Sequence, residues 1–88
     1  MDNEQVKIKE IEDMIVYILH GLLGKNEKCE VKSISGGRTT VFEISVPKSK
    51  VGQIIGKHGR NADAIRNLVV AAAAGKEIKR RISIEILD

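Results

Sequence analysis

Residues 51–70 read VGQIIGKHGRNADAIRNLVV and set a Gly-x-x-Gly turn, Gly56-Lys57-His58-Gly59, between two helical apolar patterns. Gly56 can take positive φ and close a helix, and Gly59 has no Cβ, so a bulky group can approach the backbone there. Lys57 and His58 add side-chain donors between the glycines. Lys57 is the better phosphate partner, because a histidine is charged only part of the time near neutral pH. The helix that follows is expected to aim free N–H groups, those of Arg60 and Asn61 among them, at the same point. Turn, helix start and cation all favour an anion. The plainer alternative leaves Lys57 and His58 as ordinary exposed turn residues.

Outward from this stretch the pattern gives six elements. Ile8, Ile11, Ile15, Ile18 and Leu22 recur at alternating spacings of three and four, predicting an amphipathic helix over about 3–23. Asp2 with Gln5 resembles a capping box, Asn3 is a second candidate cap, and Gly24 suits the C′ position. Strands are expected over about 29–34, 39–46 and 79–87, the first two joined at Ser35-Gly36-Gly37. Thr40, Phe42, Ile44 and Val46 alternate with Val41, Glu43 and Ser45, and Ile82, Ile84 and Ile86 with Arg81, Ser83 and Glu85. Pro47 stops the second strand, and a helix–turn–helix follows over 49–74, its second helix marked by Ala62, Ile65, Val69 and Ala72 and closed by Gly75 at C′. The order is α-β-β-α-α-β. The glycine turn pairs the first two strands antiparallel, and the helical crossover sets the last strand parallel to the second. Alternation in every strand covers only one sheet face, so the class is α+β, with three helices on one face of a three-stranded mixed sheet.

Composition narrows the function. Eighty-eight residues, 42% hydrophobic and 31% charged, suit one globular domain over 1–88. The longest apolar run, Leu68–Ala74, is far too short to span a bilayer, and the acidic start differs from a signal peptide, so a cytoplasmic chain is expected. A single cysteine excludes an internal disulfide. Net charge is +3, but residues 48–81 carry nine Lys/Arg against two acids, while the flanking segments are each net acidic. Such asymmetry points to a polyanion on one face, or else to a solvated basic surface.

Enzyme readings find no support. Gly52 to Lys57 reads G-x-x-x-G-K, one residue short of a phosphate-binding loop, with His58 where Ser or Thr belongs. One cysteine and two distant histidines give no metal-ligand spacing, so neither metal nor cofactor is expected. Cys29 reads as a small apolar residue, and His20 as a last-turn residue favouring the helix dipole. Arg80 and Arg81 alternate on the predicted last strand, so at most one faces a ligand there.

Val51-x-x-Ile54-Ile55-Gly56-Lys57-x-Gly59, followed by Ile65-Arg66-x-Leu68, resembles the signature of the KH domain. The element order is similar to its bacterial type II form. The likeness spans nearly the whole chain and lies nearest the small stand-alone bacterial KH proteins of the KhpA family. Ala62 is a mild departure, standing where the family has a larger apolar residue. The resemblance implies single-stranded RNA as partner, clamped over four nucleotides with Gly56–Gly59 on the backbone. Carried over position by position, Val51, Ile54 and Ile55 supply an apolar floor, with Ile65 beneath it. Ile54 and Ile55 cannot both face one way, so one is core and the other floor.

Tyr17 and Phe42 are the only aromatics and neither lies near the turn, so bases rest on aliphatic side chains instead of an aromatic stacking platform. Gln53 and Arg66 are candidate base readers. An RNA chaperone or post-transcriptional regulator is the expected role. The alternatives are a homodimer, a heterodimer that recruits a larger KH-containing RNA-binding partner, or single-stranded DNA binding. No membrane and no small-molecule substrate is expected.

Overall fold

The computed structural model describes residues 3–87. It contains α1 (Asn3–Leu23), β1 (Glu30–Gly36), β2 (Thr39–Ser45), α2 (Val51–Ile55), α3 (Arg60–Gly75) and β3 (Arg81–Ile86). Single 3-10 turns, Lys48–Lys50 and Lys57–Gly59, lead into α2 and α3. The expected order is present, with strand ends moved by one or two residues. The capping box ahead of α1 rests on Asp2, which lies outside the described residues.

The sheet runs β1-β2-β3. β1 and β2 pair antiparallel from Glu30↔Ser45 to Gly36↔Thr39, leaving Gly37 and Arg38 as a two-residue turn. β2 and β3 pair parallel from Thr39↔Arg81 to Ile44↔Ile86. Side chains alternate, so Thr40, Phe42 and Ile44 share one face with Ile82, Ile84 and Ile86. On that face they meet Ile8, Ile11, Ile15 and Leu19 of α1 and Ile65, Val69 and Ala73 of α3, which form the core. The opposite face is mixed, with Lys32, Glu43 and Glu85 in one row and Ile34, Val41 and Ser83 in the next. Thr40 is the one fully buried polar side chain among the described residues, and its hydroxyl pairs with that of Ser35 at 2.8 Å.

Two apolar stripes are displaced from their expected course, for the same reason. α1 buries Leu19 with Ile18 at the margin, and α3 buries Ala73 with Ala72 at the margin. A strict alternation of three and four repeats every 3.5 residues, whereas the helix turns every 3.6. The lag is about 20° per heptad, so by the last turn the residue facing the core is the next one along.

Gly75 is not the C′ residue of α3. It is the last helical residue, and the left-handed C′ position falls two residues later, on Glu77 at φ 59°. The Glu77 N–H donates to the Ala74 carbonyl at 3.0 Å and the Ile78 N–H to the Ala73 carbonyl at 2.9 Å, a Schellman closure. Ile78 is buried in the core beside Ala73, and that contact selects the register over the glycine's freedom.

Candidate nucleic-acid interface

α2 is short because the chain must reverse. The Gly56 N–H donates to the Gly52 carbonyl at 2.9 Å and caps the helix, and Gly56 itself lies at φ 78°, ψ 171°. A Cβ there would stand 2.8 Å from Cγ of Asn61, too close for any real contact. Two independent constraints therefore require glycine at 56. At Gly59 the φ of 75° favours glycine but the space around a Cβ is open, so the backbone is bare toward solvent. His58 also lies in the left-handed region, at φ 58°, ψ 24°, an uncommon state for a non-glycine residue of the kind that gathers at binding sites.

This conformation leaves the turn's own donors unspent. The Gly59 N–H bonds the Gly56 carbonyl at 3.1 Å, and the Arg60 N–H bonds the Lys57 carbonyl. The N–H groups of Lys57 and His58 have no hydrogen-bond partner among the described residues. Successive N–H groups around a left-handed residue make a small anion-binding concavity. The Lys57, His58 and Arg60 side chains stand exposed around it. The expectation that Arg60 offers a free N–H is thus corrected: the 3-10 turn consumes it, and the free donors lie inside the turn.

Asn61 acts through its side chain. Its Nδ2 donates to the Gln53 carbonyl at 3.0 Å, satisfying one of the carbonyls that the end of α2 leaves open. The same side chain fills the space beside Gly56. It is a latch across the turn, fixing the angle between α2 and α3. Gln53 extends the brace, its Nε2 donating to the Leu22 carbonyl at the end of α1, 2.9 Å away. The bond is exposed to solvent, so the Gln53 amide braces α1 in this conformation and can exchange it for another partner.

The apolar floor divides sharply. Ile54 is 0% exposed and belongs to the core, so it offers no surface to a ligand and leaves the set of contact residues. Ile55 is 38% exposed and is the one that faces outward. Val51 is buried as well, with Ala62 and Ile65, so of the three expected floor residues Ile55 alone presents a surface. Arg66 is half exposed and pairs with Asp63 at 3.0 Å. An exposed pair of this kind is worth about 1 kcal/mol at most, so the guanidinium can exchange partners. Two exposed apolar residues flank the core stripe of α3: Leu68, part of the signature quoted above, and Val70, to which the sequence assigned no role. Helical spacing puts Leu68 on the flank of Arg60 and Ala64, and Val70 on the opposite flank with Asp63 and Arg66.

Other chemistry-bearing side chains serve the scaffold. His20 Nε2 pairs with the Glu27 carbonyl at 3.1 Å and holds the loop after α1. Cys29 is half-buried, and burial first, then the Glu27 carboxylate, push its thiol up, away from a reactive thiolate. Among the described residues no group of His, Cys, Asp and Glu could hold a metal ion, and no helix is long and apolar enough to cross a membrane.

A helix, a glycine turn with free N–H groups, and a second helix, set on one face of a mixed sheet in the order α-β-β-α-α-β, define a KH domain of the type II form. The family described as KhpA/KhpB, KH domain, matches residues 12–86, and the chain belongs to it. It is 36% identical over 78 residues to the RNA-binding protein KhpA of Chlamydia caviae, covering 89% of this chain and 97% of that one. To the RNA-binding protein KhpA of Borreliella burgdorferi it is 43% identical over 76 residues, 86% and 90% of the two chains. The protein of that name from Aquifex aeolicus is 33% identical over 78 residues, 89% and 96%. No solved structure matches the chain.

Proposed function

We propose that this chain binds single-stranded RNA, holding the phosphate backbone on the Gly56–Gly59 turn while the bases lie against the aliphatic surface that includes Ile55. The observation that carries this reading is the pair of unpartnered N–H groups at Lys57 and His58, ringed by the exposed cations Lys57 and Arg60. A phosphate oxygen satisfies such donors without the backbone having to move, and charge-assisted hydrogen bonds to it are the stronger kind. Membership of a family whose relatives carry the name RNA-binding protein favours RNA over other anions. With aliphatic contacts in place of aromatic stacking, sequence preference is weak and a single module binds modestly. The role that fits is an RNA chaperone or post-transcriptional regulator working in the cytoplasm, by binding and not by catalysis.

Fluorescence anisotropy with a labelled single-stranded RNA tests it, comparing the wild type with Lys57→Asp/His58→Asp. Circular dichroism checks that the variant is folded. Three or four phosphate contacts give a log–log salt slope of roughly −2 to −3, at about −0.7 per contact on a single strand. The variant is expected to lose the binding and the slope together. Equal binding by both proteins would move the site off the turn. Absence of binding by either would favour a module that pairs with itself or recruits a larger RNA-binding partner.

A further inference from the structure

At the opposite end of α3 from the glycine turn, the β1–β2 turn and the α3–β3 connection enclose an open depression of about 490 Å³ lined by Arg38, Thr39, Ile78, Lys79, Arg80 and Arg81. Four of its six residues are cations and none is an acid. Arg80 is spent on the fold: its Nε donates to Glu4 at 2.8 Å and its Nη1 to the Gly37 carbonyl at 2.9 Å, clipping α1, the hairpin turn and the connection together. Arg38, Lys79 and Arg81 are exposed and have no ion-pair partner among the described residues.

The C-terminal dipole of α3 does not account for this concentration. It amounts to about half a negative charge, and the carbonyls of Ala72, Ala73 and Ala74 are already bonded by the N–H groups of Lys76, Ile78 and Glu77. Three unpaired cations gathered at one place raise the local positive potential and favour an outside anion there. Two guanidinium groups with a hydroxyl, at Thr39, form a donor set suited to phosphate.

We propose that this depression is a second phosphate station for the same RNA strand, so the bound segment is longer than the four nucleotides a glycine turn clamps. The proposal rests on the single-stranded RNA reading above. Its geometry comes from α3, which starts at the glycine turn and ends at the depression. Sixteen residues rising 1.5 Å each separate the two by about 24 Å. That is about seven phosphates at the stacked spacing of 3.4 Å, and fewer on an extended strand. A tetramer held at the turn does not reach; an octamer does. Arg66 lies on the helix between the two stations.

The test is a length series of labelled oligouridylates of four, eight and twelve nucleotides, titrated from 50 to 200 mM salt. The wild type is compared with Arg38→Glu/Lys79→Glu/Arg81→Glu, leaving the Arg80 clip in place. All three positions are exposed; should the reversal fail to fold, the triple glutamine variant carries the same comparison. Three added contacts make the octamer's affinity fall about 20-fold more steeply than the tetramer's over that salt range. The variant is expected to bind the tetramer as the wild type does and to lose this excess. In the amide spectrum of the wild type, Lys79 and Arg81 should shift with the octamer and not with the tetramer.

A wild type that binds the tetramer but shows no excess with length, or a variant that keeps the excess, overturns the second station while leaving the turn intact. Failure of the wild type to bind any length overturns the RNA reading and the station with it. Tripolyphosphate shifting Lys79 and Arg81 at lower concentration than the octamer would assign the depression to a free anion instead.

Discussion

Gly56 answers two demands at once, one of backbone conformation and one of space, and Gly59 answers only a milder form of the first. Gly59 lies in the left-handed helical region, where a Cβ costs about 1–2 kcal/mol, whereas Gly56, at φ 78°, ψ 171°, lies in a region that glycine alone occupies and also faces Asn61 at 2.8 Å. Gly59→Ala should therefore cost about 1–2 kcal/mol in urea unfolding and Gly56→Ala distinctly more. Equal costs would mean that the Asn61 side chain moves aside freely and is no latch. The need for glycine at both positions was legible from the G-x-x-G spacing. The latch was not: nothing about Asn61 in the sequence says that its side-chain amide turns back to the Gln53 carbonyl. The free N–H groups at Lys57 and His58 were likewise invisible, because they follow from the left-handed state of His58, a state uncommon for any residue but glycine and not announced by the sequence.

At the scale of elements, α2 separates stability from binding within two adjacent residues. Ile54 is in the core and Ile55 on the surface. Ile54→Ala should destabilise by about 2–5 kcal/mol, as buried large-to-small changes do, whereas Ile55→Ala should leave the urea midpoint nearly unchanged and weaken RNA binding. The reverse pattern would put Ile54 on the groove. A five-residue helix with apolar residues at 51, 54 and 55 has no periodicity long enough to choose between them; the packing of α3 over it makes the choice.

The end of α3 is a second case. The glycine at 75 advertised a C-cap, but the burial of Ile78 against Ala73 pulled the left-handed position to Glu77. Glu77→Gly should raise stability by about 0.5–1 kcal/mol, the relief of left-handed strain less the added chain entropy. A loss of stability would mean that the glutamate side chain contributes something that outweighs the strain.

For the molecule as a whole, the helix and strand order was readable because each element carries its own period and its own punctuation. Alternation in 39–46 and 82–86 foretold the single covered sheet face, and the concentration of cations in 48–81 foretold a polyanion. The arrangement of those cations in space was another matter. Arg80 and Arg81 read as alternating strand residues, yet β3 begins at Arg81 and Arg80 precedes it, clipped to Glu4 and Gly37. The parallel register Thr39↔Arg81 brings both beside Arg38, a contact across more than forty residues that no local pattern encodes.

The claim on which the rest depends is that the two unspent N–H groups of the glycine turn take up a phosphate. It is tested most directly by titrating isotope-labelled protein with a single-stranded RNA and following the backbone amides. The amides of Lys57 and His58 should move first and furthest, downfield as hydrogen bonds form, with Gly59 and Ile55 next. RNA that binds while these two amides stay still, with the shifts lying elsewhere on the surface, would contradict it.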